Sequence, residues 1–115
     1  MMSNQGPERA HYRIQYPARE RPRFLVDGND YEVLNCSEMG VCCVVPGEAP
    51  FVPGDVVHGK IRFSRGDEVE IEGVVVRVQD GTVALHLAAM PIPFVVIFNE
   101  QRYLRQKYPM WPKEV

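Results

Sequence analysis

Two short runs, Arg9-Ala-His-Tyr-Arg13 and Asn35-Cys-Ser37-Glu-Met-Gly40, hold the side chains of this sequence best suited to chemistry. The first sets two guanidinium groups four residues apart. A guanidinium grips phosphate bidentately, offers parallel N–H donors to the O6 and N7 edge of guanine, and stacks flat on a purine. The second sets an amide, a hydroxyl and a glycine between two apolar segments, Tyr31-Glu-Val-Leu34 and Val41-Cys-Cys-Val-Val45. There Asn35 and Ser37 can supply short, directional hydrogen bonds from a strand end. Gly40 permits close backbone approach or a positive φ.

Charge and composition narrow what such groups serve. A chain of 115 residues, 45% hydrophobic and 24% charged, suits one folded domain. Its net charge of −2 argues against a broad nucleic-acid surface, which needs many uncompensated cations. Residues 1–23 nevertheless carry five Arg against two Glu, whereas residues 24–72 carry ten acidic against three basic side chains. A cationic lead-in on an acidic body suits a small anion held at one place better than a long polyanion, which disfavours an oligonucleotide-binding barrel. Cys36, Cys42 and Cys43 form an odd set, two of them adjacent and on opposite faces of a strand. That is a poor disulfide framework and suits a reducing cytoplasm. Together with His11, His58 and His86 they match no zinc spacing, so no metal is expected. No Ser, His and Asp set stands in a nucleophile-elbow context, so no enzyme is expected either. The first residues lack a signal peptide's basic start and apolar run, and no apolar stretch approaches the ~20 residues of a membrane span.

The elements that must position the two motifs are mostly strands. Ten Pro and nine Gly favour a turn-rich β architecture. Residues 13–18 alternate polar and apolar, and Pro17 limits them to an edge or irregular strand. Residues 23–26 and 31–34 flank Asp27-Gly28, a hairpin signal, and 41–45 read as a buried strand. Val52-Pro-Gly-Asp55 reads as a turn. Strands over 57–63 and 69–78 are joined by the tight turn Ser64-Arg-Gly-Asp67, with a bulge or bend expected at Gly73. Asp80-Gly81 turns the chain into 82–88, where Val83, Leu85 and Leu87 share a face. Six or seven strands on short turns predict an antiparallel barrel or sandwich. Then Phe94, Ile97, Phe98, Gln101, Leu104, Arg105 and Tyr108 recur at helical spacing. A helix ended by Pro109 is expected to lie across a barrel mouth and bury that stripe, leaving Glu100, Arg102 and Lys107 outside. Residues 1–8 read as a flexible tail, 9–108 as the barrel domain with its helix, and 109–115 as a second tail.

Arg-x-x-x-Arg followed, after one or two strands, by Asn-x-Ser-x-x-Gly resembles the PilZ domain, a bacterial receptor module for the second messenger cyclic di-GMP. The resemblance runs from Glu8 to near the end of the chain. It implies a mainly β fold, a six-stranded antiparallel β-barrel with a C-terminal α-helix. It implies that Arg9 and Arg13 take phosphates and guanine edges, that Asn35, Ser37 and Gly40 line the other side, and that Arg77 stacks on a guanine. Cyclic di-GMP is then the ligand and no cofactor is implied. Ligand would order residues 6–20, and the partner would be a protein effector of motility, adhesion, biofilm formation or exopolysaccharide export. The chain departs from the family at Glu8, where many members carry a third basic residue. It departs again at Ala84-Leu-His86, where a Gly-x-Phe-like signature often ends the last strand. Some PilZ domains have lost the nucleotide and act as protein adapters, typically without the arginines that this chain keeps. A nucleotide-free adapter is the alternative.

Overall fold

The computed structural model describes residues 13–111. Among them, seven strands precede one α-helix: β1 (Ile14–Gln15), β2 (Arg23–Val26), β3 (Asn29–Cys36), β4 (Gly40–Val44), β5 (Val56–Arg62), β6 (Glu68–Gln79), β7 (Thr82–Met90) and α1 (Phe94–Lys107). A 3-10 turn, Ala18–Glu20, lies between β1 and β2. The strands pair in the order β3-β2-β5-β6-β7-β4, and β4 pairs back onto β3. The result is a closed six-stranded antiparallel barrel with one C-terminal helix, and closure leaves no open barrel edge.

Two tight hairpins form where Asp-Gly pairs let successive residues take positive φ. The values are 51° and 78° at Asp27 and Gly28, and 53° and 76° at Asp80 and Gly81. This is the left-handed pair of a type I′ turn, whose twist matches that of the strands it joins. Each strand alternates, so Phe24, Val33, Val41, Ile61, Ile71 and Leu87 point inward and are almost fully removed from water. Burying each contributes about 1.5–3 kcal/mol relative to exposure. The bend expected at Gly73 is present, because the β6–β7 register shifts between Glu72 and Val74. A Cβ at Gly73 would stand 2.7 Å from Leu87 Cδ2 and 2.9 Å from the His86 carbonyl oxygen, so β7 passes where a side chain would otherwise be.

The helix lies on the barrel by a face rotated from the expected one. Ile97 and Leu104 of the expected stripe are buried and Arg102 and Lys107 lie outside as expected, but Glu100 turns in and Phe94 and Phe98 turn out. Ile97, Glu100 and Leu104 are buried, whereas Phe94 and Phe98 are 55% and 44% exposed and stack on each other 6.0 Å apart. Arg105 is also exposed. The cause is a long-range partner: the barrel presents the Tyr16 hydroxyl, which donates to Glu100 Oε1 over 2.7 Å and makes burial of that carboxyl tolerable. No helix of the described residues is long and apolar enough to cross a membrane.

Candidate functional site

The two motifs meet because β3 outlasts β2. β2 pairs with β3 only from Asn29 to Glu32. Further along that edge β1 takes over, with Ile14 opposite Cys36 and Gln15 opposite Asn35. Arg13, immediately before β1, is thereby set beside Asn35 and donates from Nη1 to Asn35 Oδ1 over 2.6 Å. The amide thus holds the guanidinium in place.

Two β-bulges aim the other side chains. The β3–β4 register shifts between Val33 and Asn35. Val33 and Cys36 consequently both face the core at 0% exposure, and Asn35 is left on the outer side. The β6–β7 register shifts again between Val75 and Arg77, which sends Val76 and Arg77 outward together. Between β3 and β4, the Ser37 N–H donates to the Gly40 carbonyl over 2.8 Å. The loop is strapped down from the other side by Leu87 N–H on the Met39 carbonyl and Ile92 N–H on the Glu38 carbonyl.

Arg13, Asn35, Ser37, Gly40 and Arg77 all line one groove of about 620 Å³, together with Cys42 and His86. The structure therefore gathers five of the six residues singled out from sequence. Arg9 lies outside the described residues, as do His11 and the tail 1–8. The groove's size falls within the range of small-molecule sites. Gly40 is not in the left-handed region. A Cβ there would make only ordinary contacts, 3.6 Å to the Leu85 carbonyl oxygen, 3.7 Å to Ser37 Oγ and 3.9 Å to Arg13 Nη2. The backbone does not require a glycine at this point. What its missing side chain does is keep the groove open between a hydroxyl and a guanidinium.

Electrostatics favour an anion here. Among the described residues lining the groove there are two guanidiniums and an imidazole, and no carboxylate. A second groove of about 570 Å³, by the β2–β3 turn, is lined instead by Asp27, Asp30, Glu70, His58 and Lys60. His86 is a polar lining residue that sequence reasoning did not assign to the site, having met it only in a rejected metal set and in the Ala84-Leu-His86 departure. It stands opposite Gly40 in the β4–β7 register. The signal for it was alternation along β7, which turns Val83, Leu85 and Leu87 inward and His86 outward.

A family model described as PilZ domain matches residues 7–96 of the chain. Among solved structures, the chain is similar to the crystal structure of an uncharacterized Legionella protein. The TM-score is 0.60 and the identity 18%, with 86% of this chain and 99% of that one covered. At that identity the likeness speaks for the fold alone. No curated protein matches the sequence.

Proposed function

Since the chain belongs to the PilZ domain family, a family of cyclic di-GMP receptors, we propose that its cationic groove binds cyclic di-GMP and that the protein is a non-catalytic cytoplasmic receptor. The observation that supports this most is the meeting of Arg13, Asn35, Ser37, Gly40 and Arg77 around one groove without a carboxylate among its described lining. In this reading Arg13 takes a phosphate or a guanine edge, and Asn35 holds its guanidinium ready for it. Ser37 donates to a ligand oxygen, and Gly40 leaves room for the ligand beside it. Arg77 offers a flat face to a guanine, and Arg9 closes the site from the preceding segment. Residues 13–20 already pack on the barrel, contrary to the expectation that ligand orders all of 6–20. Binding instead draws the segment that carries Arg9 onto the groove, and the reshaped surface is passed to a protein effector of motility, adhesion or exopolysaccharide export.

Calorimetry with cyclic di-GMP tests the site. Charge-assisted bonds of this kind contribute about 1.5–3 kcal/mol. Arg13→Ala and Arg9→Ala are therefore expected to weaken binding by about tenfold to a hundredfold each. Unchanged affinity in both variants would remove the site assignment. A flat titration of the wild-type protein would leave the nucleotide-free adapter as the better reading.

A further inference from the structure

The residue at the centre of the second motif turns away from the groove. Cys36, between Asn35 and Ser37, is 0% exposed, and its sulfur lies 3.8 Å from the Tyr16 hydroxyl. That hydroxyl gives its proton to Glu100 Oε1 at 2.7 Å, so the thiol is the donor to the tyrosine oxygen. Burial pushes the thiol up to about 12, so it keeps the proton it must donate. Tyr16 and Glu100 are each 3% exposed. A buried chain Cys36–Tyr16–Glu100 thus runs from the core side of β3, between the groove-lining Asn35 and Ser37, past β1, to α1. A second tie runs alongside it. Trp111, beyond the end of the helix, donates from Nε1 to the Gln15 carbonyl over 2.8 Å, two residues from Arg13. Arg13, Gln15, Gln101, Leu104, Arg105 and Trp111 line the crevice between these elements. The family match ends at residue 96, three residues into α1.

We propose that this chain couples the groove to the helix, so that a ligand held by Arg13 and Asn35 tightens the docking of α1. The coupling rests on the cyclic di-GMP reading of the groove. Its physical basis is that a buried polar pair is satisfied only while both of its elements are docked. If β1 lifts, Glu100 loses the Tyr16 hydroxyl and α1 gains by moving its carboxyl to water. If a ligand pins Arg13, and through it β1, that route closes and the helix opens less often. Linkage then requires that a docked helix favour the ligand by the same factor.

Amide hydrogen exchange across α1, with and without saturating cyclic di-GMP, tests this, because exchange detects rare helix openings that do not alter the average structure. In the wild-type protein the ligand is expected to slow exchange over 97–107 by about fivefold or more. The emission of Trp111, the sole tryptophan of the chain, is expected to shift at the same half-saturation. In Tyr16→Phe, and in Glu100→Leu should that variant fold less well, ligand still binds but changes helix exchange by less than about twofold. Glu100→Gln keeps an acceptor and keeps the effect. Calorimetric binding with wild-type helix exchange unmoved overturns the coupling and spares the receptor. An absence of calorimetric binding overturns both.

Discussion

Two carboxylates are buried against the same helix, and their surroundings push them in opposite directions. Glu20, in the 3-10 turn, is 5% exposed and accepts from Tyr108 at 2.9 Å, Lys107 at 3.1 Å, Tyr103 at 3.3 Å and Ser64 at 3.0 Å. Burial alone would raise its pKa, but the bonds from Tyr108, Lys107 and Ser64 outweigh that and hold it below the ordinary carboxylate value. Glu100 is equally buried, and burial raises its pKa against the opposing Tyr16 bond and the Arg65 charge, with Asp67 and Glu20 adding to the rise. One carboxylate has several donors and the other leans on a single tyrosine. The C-terminal turn of the helix is therefore anchored redundantly, while its middle is held by a contact that depends on the position of β1. The redundant end belongs to stability. The middle, with its one partner, is where the proposed ligand would be felt.

The largest effect that would break this contrast is the loss of the anchor. Glu20→Ala strands four donors at once, one of them the half-exposed Lys107 and one the partly buried Tyr108. Urea unfolding at neutral pH is expected to show a loss of about 2–3 kcal/mol, with cyclic di-GMP affinity within about twofold of wild type. A comparable fall in affinity would mean that both ends of the helix report on the groove.

A smaller effect sharpens the contrast through pH. Glu20 titrates below its unfolded-state value, so its contribution is present above the ordinary carboxylate range and is lost as pH falls through the depressed folded value. Glu100 titrates above its unfolded-state value, so its contribution is full below that range and is lost as pH rises through the elevated folded value. Glu100→Gln removes only the second slope. Between about pH 4 and about pH 8, the stability of this variant relative to wild type is expected to rise with pH, read from urea midpoints along the series. A difference that stays constant would mean that Glu100 does not titrate differently on folding.

This pair also marks how far the sequence could be read. The hairpins at Asp27-Gly28 and Asp80-Gly81, the bend at Gly73 and the barrel order follow from local rules, namely turn chemistry and two-residue alternation, which act between neighbours in the chain. The groove was legible because its chemistry is written in residue types at fixed spacing, Asn35, Ser37 and Gly40 on one hairpin and Arg13 ahead of it. How Arg13 reaches Asn35 was not legible. That depends on β2 beginning only at Arg23, opposite Glu32, and leaving the far end of β3 for β1, a fact of register rather than of pattern. The bulges before Asn35 and Arg77 carry no turn residue to announce them. The helix face was placed correctly at Ile97 and Leu104 and wrongly at Phe94, Phe98 and Glu100, for the same reason. Periodicity sees that Phe94 and Phe98 are apolar and that Glu100 is charged, but not that a hydroxyl 84 residues away is waiting for the carboxyl.

The smallest effect tests redundancy itself. Ser64 donates to Glu20 Oε1 from an exposed position in the β5–β6 turn, while the other three donors converge on Oε2. Removing its hydroxyl takes away one donor of four, at a place where water can reach and replace it. Ser64→Ala is expected to lower stability by no more than about 0.5–1 kcal/mol by urea unfolding. Tyr16→Phe strips Glu100 of its one hydroxyl in a dry interior, where an unsatisfied polar group costs about 1–3 kcal/mol. The ratio of the two losses measures how unequally the two carboxylates are supported. Equal losses would mean that the Glu20 cluster is no better braced than the single tyrosine bond, and the division into an anchored end and a responsive middle would fail.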